Sequence, residues 1–136
     1  MQKRIRKKKR KNFIIPLVVY PFDIMVSIGE SDDEFIKSCT KILAKEHVGE
    51  LKEDEVVCRM SQTQQGRTIM LSGNQTIIRL KSKPQSAREY GFMAHEVFHA
   101  VTFIMDRVGM KLKLMTSDEA YAYLVGYVTE EVYKRI

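Results

Sequence analysis

Apolar side chains recur every three to four residues in three stretches of this chain, and that spacing predicts three amphipathic helices. The first helix covers residues 32–47 and the second covers residues 87–107. The third begins near Thr116 or Ser117 and ends at about Tyr133. Its apolar stripe consists of Ala120, Leu124, Val128 and Val132.

Local signals mark the ends of the first two helices. Ser31 and Glu34 are spaced as a capping box, in which the serine hydroxyl and the glutamate carboxylate each bind a free backbone N–H of the first turn. Ser86 and Glu89 repeat this spacing before the second helix. Gly109 lies just past its end, where glycine commonly terminates a helix.

Shorter stretches rich in β-branched and aromatic residues predict strands at 17–28 and 56–60. Residues 68–71 and 75–80 predict a hairpin around a glycine-containing turn. Residues 48–53 are predicted to form a polar turn. The order of these elements indicates an α+β fold with a small antiparallel or mixed sheet.

The second predicted helix is apolar on nearly all of its faces. Its apolar residues are Tyr90, Phe92, Met93, Val97, Ala100, Val101, Phe103 and Ile104. A helix without a polar face lies inside its domain. We therefore expect the sheet to pack on this helix and to bury it.

The composition fits a single globular domain. Of the 136 residues, 44% are hydrophobic and 29% are charged, which excludes a disordered or collagen-like chain. No apolar run approaches the roughly 18 residues that a membrane helix needs, so we expect no membrane span. The two cysteines, Cys39 and Cys58, cannot form a disulfide framework and are expected in the core.

The positive charge is concentrated in an arm at residues 1–12. The whole chain has a net charge of +6, from 23 basic and 17 acidic residues. The remaining domain, residues 13–136, carries a slightly negative charge. An arm of this kind predicts contact with a polyanion, an acidic partner or an anionic membrane, and a solubilising tail is the plain alternative. Its basic residues are Lys3, Arg4, Arg6, Lys7, Lys8, Lys9, Arg10 and Lys11.

The arm and the apolar residues 13–20 share one feature with a secretory signal, which is a basic start followed by an apolar stretch. Pro16, Pro21 and Asp23 interrupt the stretch, and no small-residue cleavage site follows it. We therefore do not expect secretion through this segment.

The candidate chemistry lies in the middle of the second helix, in the sequence His95-Glu96-Val97-Phe98-His99. Residues four apart lie one turn apart on the same helical face, so both imidazoles can bind one metal ion. Glu96 lies at the edge of that face, where it can take a proton from a water held by the metal. Two histidines are costly to bury without a partner, and a metal is the simplest partner. A pair of hydrogen-bonded core histidines is the alternative.

Catalytic zinc usually has three protein ligands, so a third is expected. Asp106 lies on the same helix at roughly 10 Å along the axis from His99, which is too far. Glu119 follows His99 by twenty residues, and an antiparallel last helix would bring it against both histidines. Asp118 is the neighbouring alternative, and helix capping is the plain alternative for Glu119.

These residues carry a resemblance to a known family. The motif His95-Glu96-x-x-His99, followed by Asp118-Glu119-Ala120-Tyr121-Ala122-Tyr123, resembles the gluzincin branch of zinc metallopeptidases. The chain is most similar to its minimal, single-domain members, including small peptidase-like proteins of tailed bacteriophages and peptidases that cleave phage repressors. The resemblance covers about residues 54–135 and is strongest over 92–128. It implies a zincin-like fold, with a small sheet packed on a buried active helix and a C-terminal ligand helix.

The resemblance also implies the roles of the site residues. It makes Zn²⁺ the cofactor, and Glu96 the general base and acid. The zinc ligands that it implies are His95, His99 and Glu119. A peptide or protein substrate would pair in extended form with an antiparallel edge strand, for which residues 75–81 are the expected equivalent. A tyrosine hydroxyl would stabilise the oxyanion, with packing as the alternative role, and the candidates are Tyr121, Tyr123 and Tyr127.

Two other functions stay open beside the zinc peptidase. The chain could be a virion-associated structural protein of a phage, with a zincin fold and an arm that binds nucleic acid or neighbouring subunits. It could also be a nucleic-acid-binding regulator, but the slightly negative domain argues against that function. The resemblance favours a peptidase that acts in the cytoplasm of a host cell or in the virion.

Overall fold

The computed structural model describes residues 11–53, 59–72 and 75–136, and within them the chain forms four strands and four helices. The strands are β1 (Lys11–Pro16), β2 (Asp23–Ile28), β3 (Gly66–Met70) and β4 (Thr76–Leu80). The helices are α1 (Asp32–Ile42), α2 (Lys45–Glu53), α3 (Ala87–Arg107) and α4 (Asp118–Arg135). The predicted α+β class is confirmed, and the bounds of α3 agree with the predicted helix.

The four strands form one mixed sheet in the order β1-β2-β4-β3. β2 and β4 run parallel, and the two outer pairs are antiparallel. The prediction that residues 75–81 form the edge strand is therefore wrong, because β4 lies between β2 and β3. Every residue of β4 is buried, as expected for a strand covered on both faces. Among the described strands, β3 is the edge strand of the predicted hairpin.

The sheet separates two apolar clusters. The larger cluster fills the space between the sheet and the helices α3 and α4, and it includes Val26, Ile78, Val97, Val101 and Val128. The smaller cluster lies on the opposite face, against α1 and α2, and it includes Met25, Phe35, Cys39, Leu51 and Ile77. Alternate residues of β2 and β4 enter opposite clusters, because successive side chains of a strand point to opposite faces. The expected core position of Cys39 is confirmed.

The N-terminal strand differs from the predicted strand at 17–28. The chain forms a hairpin, in which β1 pairs with β2 and the connection closes with a hydrogen bond from the Leu17 N–H to the Phe22 carbonyl, at 3.1 Å. Pro16 ends β1, and Pro21 lies in the connection, since proline has no N–H to donate to a ladder. β1 begins at Lys11, opposite Ile28, so the last two residues of the predicted arm belong to the sheet.

The predicted helix at 32–47 is two helices. Leu43 has an extended backbone with a ψ of 159°, which ends α1. The predicted polar turn at 48–53 is wrong, because α2 places Val48 and Leu51 in the smaller cluster. Val48 and Leu51 are three residues apart, so they lie on the same face of a helix. The polar residues around them make this helical spacing hard to recognise in the sequence.

Several predictions lie outside the described residues. The strand predicted at 56–60 falls largely there, together with Cys58. So do Lys3, Arg4, Arg6, Lys7, Lys8, Lys9 and Arg10, which leaves Lys11 as the one arm cation placed in the sheet. None of the helices in the described ranges has the length and apolar content that crossing a bilayer needs.

A buried arginine joins β4 to the start of α1. The Arg79 side chain is 1% exposed, and its Nη1 lies 2.8 Å from Asp32 Oδ1. Its Nη2 donates to the Glu30 carbonyl at 3.1 Å, and its guanidinium lies 4.2 Å from the centre of the Phe35 ring. Partial burial raises the pKa of Asp32, but hydrogen bonds from Arg79 and the Met60 N–H, together with positive charge, lower this pKa below its usual value overall.

We expect Asp32→Asn to lower the free energy of unfolding by about 1–2 kcal/mol at pH 7. The Asp32 side chain is 38% exposed, which keeps the effect below that of a fully buried pair. Because the folded pKa is depressed, the contribution is present above the unfolded pKa and is lost as pH falls through the folded value. Urea denaturation at pH 7 and at about pH 2.5 measures this difference. Asp33→Asn, an exposed change in the same helical turn, is the control. Equal effects of the two variants at pH 7 would contradict the account.

Candidate metal centre

Both ends of α3 are fixed by the local contacts that the sequence predicts. At its start, the Glu89 N–H donates to the Ser86 hydroxyl at 3.2 Å, and that hydroxyl donates to the Glu89 carboxylate at 3.0 Å. At its end, Gly109 has a φ of 75°. The Gly109 N–H then binds the Asp106 carbonyl at 3.0 Å, and the Met110 N–H binds the Met105 carbonyl at 2.9 Å. These two bonds form a Schellman motif, so both ends of α3 are fixed by hydrogen bonds.

His95 and His99 lie in the central turns of α3, with their side chains in contact. Their Nε2 atoms are 3.1 Å apart, and their ring centres are 4.7 Å apart at 76°. The His99 ring also lies against Phe103, with ring centres 6.4 Å apart at 27°. The spacing of four residues therefore places two nitrogen donors side by side, as predicted.

The distance between these nitrogens fits a metal ion. If a zinc ion lay about 2.0–2.1 Å from each Nε2, the angle between the two nitrogens at the zinc would be roughly 100°, close to the tetrahedral value. The same distance suits a hydrogen bond in which one neutral imidazole donates to the other. The donor set and its spacing are thus compatible with both the predicted metal and the predicted alternative.

The expectation that α3 is buried all round is wrong. Its buried face comprises Met93, Glu96, Val97, Ala100, Val101, Ile104 and Met105. His95 and His99 lie on the exposed face, where Phe98 is 44% exposed. Two exposed imidazoles incur little desolvation cost, so burial gives no argument for a metal. The argument rests on the geometry of the nitrogens.

Glu96 is the buried member of the motif, with 7% of its surface exposed. Its Oε2 lies 2.5 Å from the hydroxyl of Thr68 on β3. The same hydroxyl oxygen lies 3.0 Å from the backbone carbonyl oxygen of Glu96. A short contact between a hydroxyl and a carboxylate is typical of a charge-assisted hydrogen bond. The edge strand thus holds the carboxylate between the helix and the sheet.

Gly66 completes this arrangement, and neither it nor Thr68 is found by motif reasoning. A Cβ on Gly66 would lie 2.8 Å from Glu96 Cγ and 3.1 Å from the Arg79 carbonyl oxygen, closer than the packing allows. A glycine within a strand often marks such a close approach, and this was the available signal. Thr68 has no comparable signal in the sequence, because its partner lies 28 residues away on another element.

A shallow groove of about 240 Å³ runs between β3 and α3. It is lined by Gln64, Gly66, Arg67, Thr68, Glu96, His99 and Phe103. Glu96 and His99 of the motif therefore line the same space, together with residues of β3.

The predicted third ligand lies on the first turn of α4. Tyr90, near the start of α3, contacts Tyr133, near the end of α4, with 6.0 Å between ring centres. The two helices therefore run antiparallel, as expected. Glu119 is exposed and lines a surface depression with Tyr123 and Glu130, and Asp118 is half-buried. In the part of the chain that the structure describes, no three His, Cys, Asp or Glu side chains lie close enough to hold one metal ion. The choice between Glu119 and Asp118 stays a prediction.

The three candidate tyrosines occupy different environments. The Tyr121 hydroxyl donates to the Met110 carbonyl at 2.6 Å, and the Tyr127 hydroxyl donates to the Pro16 carbonyl at 2.9 Å. These bonds fasten α4 to the preceding loop and to β1, which favours packing roles for both. Tyr123 is 73% exposed and lines the same surface depression as Glu119.

The assembled features are two adjacent imidazoles, one buried carboxylate held by the edge strand, and an open groove beside them. They can bind a divalent cation through His95 and His99 and provide a carboxylate for proton transfer through Glu96. Comparisons of the chain with protein families, with curated proteins and with solved structures give no significant match.

Proposed function

We propose that this chain is a zinc-dependent peptidase with a zincin-like fold. One observation carries the proposal: the Nε2 atoms of His95 and His99 lie 3.1 Å apart, and the buried residue Glu96 directly follows His95 on the same helix. The resemblance of the same motif to gluzincins, and the position of α4 beside α3, support it. Glu119 is the proposed third ligand, with Asp118 as the alternative.

Zinc, when bound, lowers the pKa of water and polarises the scissile carbonyl. The chain's own residues do the rest of the chemistry. Glu96 accepts a proton from the attacking water and then donates it to the nitrogen of the leaving amine. Tyr123 is the proposed hydrogen-bond donor to the oxyanion that forms at the carbonyl.

The edge strand gives the substrate a place to bind in extended form. The Leu71 N–H binds the Gln75 carbonyl at 2.8 Å, and the Lys81 N–H binds the Gln65 carbonyl at 2.9 Å. Alternation along an antiparallel pair then turns the backbone groups of Gly66, Thr68 and Met70 toward the outer edge. Pairing with these groups recognises main chain and requires little of the substrate's sequence.

The resemblance to phage proteins supports action in the host cytoplasm or in the virion. The charge of the arm supports contact with a polyanion or with a phage structural subunit, and this contact is proposed on charge alone. Deleting residues 1–10 should leave peptide hydrolysis unchanged if the arm acts only in such contacts.

We expect the purified chain to cleave labelled casein, whose unfolded segments can pair with an edge strand. Removing metal with a chelator should lower the rate by at least about 100-fold, because the nucleophile is no longer activated. About one equivalent of added zinc should restore the rate. A parallel assay with a mixed peptide library would detect activity on sequences that casein does not contain. Absence of cleavage of both substrates by the zinc-loaded chain would refute the proposed activity.

A further inference from the structure

Thr68 lies on β3, where the substrate is proposed to pair, and its side chain also makes the contact that holds Glu96. Its backbone N–H and carbonyl face the outer edge of the sheet, as the ladder bonds of the hairpin require. Its side chain points to the face that carries α3, and its hydroxyl lies 2.5 Å from Glu96 Oε2. A peptide paired with β3 would therefore be positioned by the same residue that positions the carboxylate.

Two features make this contact specific. Gly66, two residues before Thr68, faces the same side of the sheet, and its missing Cβ leaves room for Glu96 Cγ. Glu96 is also only 7% exposed, so the Thr68 hydroxyl replaces a hydrogen bond that solvent would otherwise supply. Thr68 occupies one carboxylate oxygen, Oε2, which leaves Oε1 for proton transfer.

From this arrangement we propose that Thr68 is a positioning residue, which fixes the carboxylate of Glu96 relative to the peptide bound on β3. The inference rests on the proposed peptidase function. It differs from a purely structural role in one respect. The main-chain contacts of residue 68 bind the substrate, whereas its hydroxyl serves the chemical step through Glu96. Removal of the hydroxyl alone should then affect kcat and not KM.

The first test compares Thr68→Val with Thr68→Ser on labelled casein. Valine keeps the β-branched shape and the backbone and removes only the hydroxyl, so kcat should fall by about 10- to 100-fold with KM changed less than about threefold. Serine restores the hydroxyl and should return kcat to within about threefold of the wild-type value. Zinc content should be unchanged in both variants. Thr40→Val is the matched control, because the Thr40 hydroxyl binds the Ile36 carbonyl on the other side of the sheet.

The outcomes separate a positioning role from a structural one. An unchanged kcat in Thr68→Val, or a rise in KM with kcat preserved, would overturn the proposal. Failure of Thr68→Ser to restore kcat would also overturn it. Gly66→Ala provides a second variant, because its new Cβ should displace Glu96 and lower kcat while zinc stays bound.

A second test needs no catalytic activity. Thr68→Val, Glu96→Ala and the double variant form a cycle in urea denaturation with zinc present. Their coupling should be about tenfold in the unfolding equilibrium constant if the hydrogen bond exists. Coupling below about twofold would refute the contact, whatever the chain catalyses. Coupling in a zinc-loaded chain that cleaves nothing would refute the proposed function and the positioning role while leaving the contact intact.

Discussion

Replacing Glu96 with glutamine is expected to lower the rate of peptide hydrolysis by about 10²- to 10⁴-fold while zinc stays bound. Glutamine has nearly the same shape as glutamate, and its side-chain oxygen can still accept the hydrogen bond from Thr68. It cannot accept and return the proton, since an amide is not a base at neutral pH. The loss should therefore appear in kcat, with KM and folding little changed.

The measurement is a pair of kcat values on labelled casein, each with the zinc content of the same sample. Glu46→Gln makes the same chemical change at an exposed position on α2 and should retain the wild-type rate. Hydrolysis by zinc-loaded Glu96→Gln within about tenfold of the wild-type rate would remove Glu96 from the mechanism. The metal site would then need a different base.

The second large effect is expected from the imidazoles. Replacing His95 or His99 with alanine should lower zinc affinity by more than the 10- to 100-fold typical of changes to groups that only orient a ligand. Zinc at about 1,000 times its dissociation constant stabilises the folded wild-type chain by roughly 4 kcal/mol, which raises the midpoint of thermal unfolding by about 14 °C. Neither alanine variant should show this rise.

The chain provides its own control for this series. His47, on α2, is the third histidine, and His47→Ala should keep the zinc-dependent rise in the unfolding midpoint. The same titration identifies the third ligand, because Glu119→Gln should lose zinc affinity while Asp118→Asn should keep it. The reverse result would assign the ligand to Asp118. A full zinc-dependent rise in both His95→Ala and His99→Ala would contradict the metal site.

Local sequence signals were sufficient to predict the helix that carries the motif. The capping box at Ser86 and Glu89 and the terminating Gly109 each act within a few residues, so both ends of α3 could be predicted. The contact between His95 and His99 follows from helical geometry alone. The break at Leu43 could not be predicted in this way, because burial of Val48 and Leu51 against the sheet favours a separate α2.

The features that could not be predicted depend on contacts between elements that are distant in the sequence. β4 became an interior strand because it pairs in parallel with β2, which lies about fifty residues earlier. The exposed face of α3 depends on which of its aromatic residues the sheet covers, and Phe98 is left outside. The contacts of Glu96 with Thr68 and Gly66 join β3 to α3. Motif spacing carries no information on such pairs.

The metal content of the purified chain tests the central claim most directly. Elemental analysis should find about one zinc per wild-type chain, as expected for a single mononuclear site. The same analysis of His99→Ala should find less than about a tenth of that amount after identical purification. A wild-type chain that is folded, contains no zinc and takes up none when zinc is added would contradict the account. His95 and His99 would then be a hydrogen-bonded pair on the surface of α3.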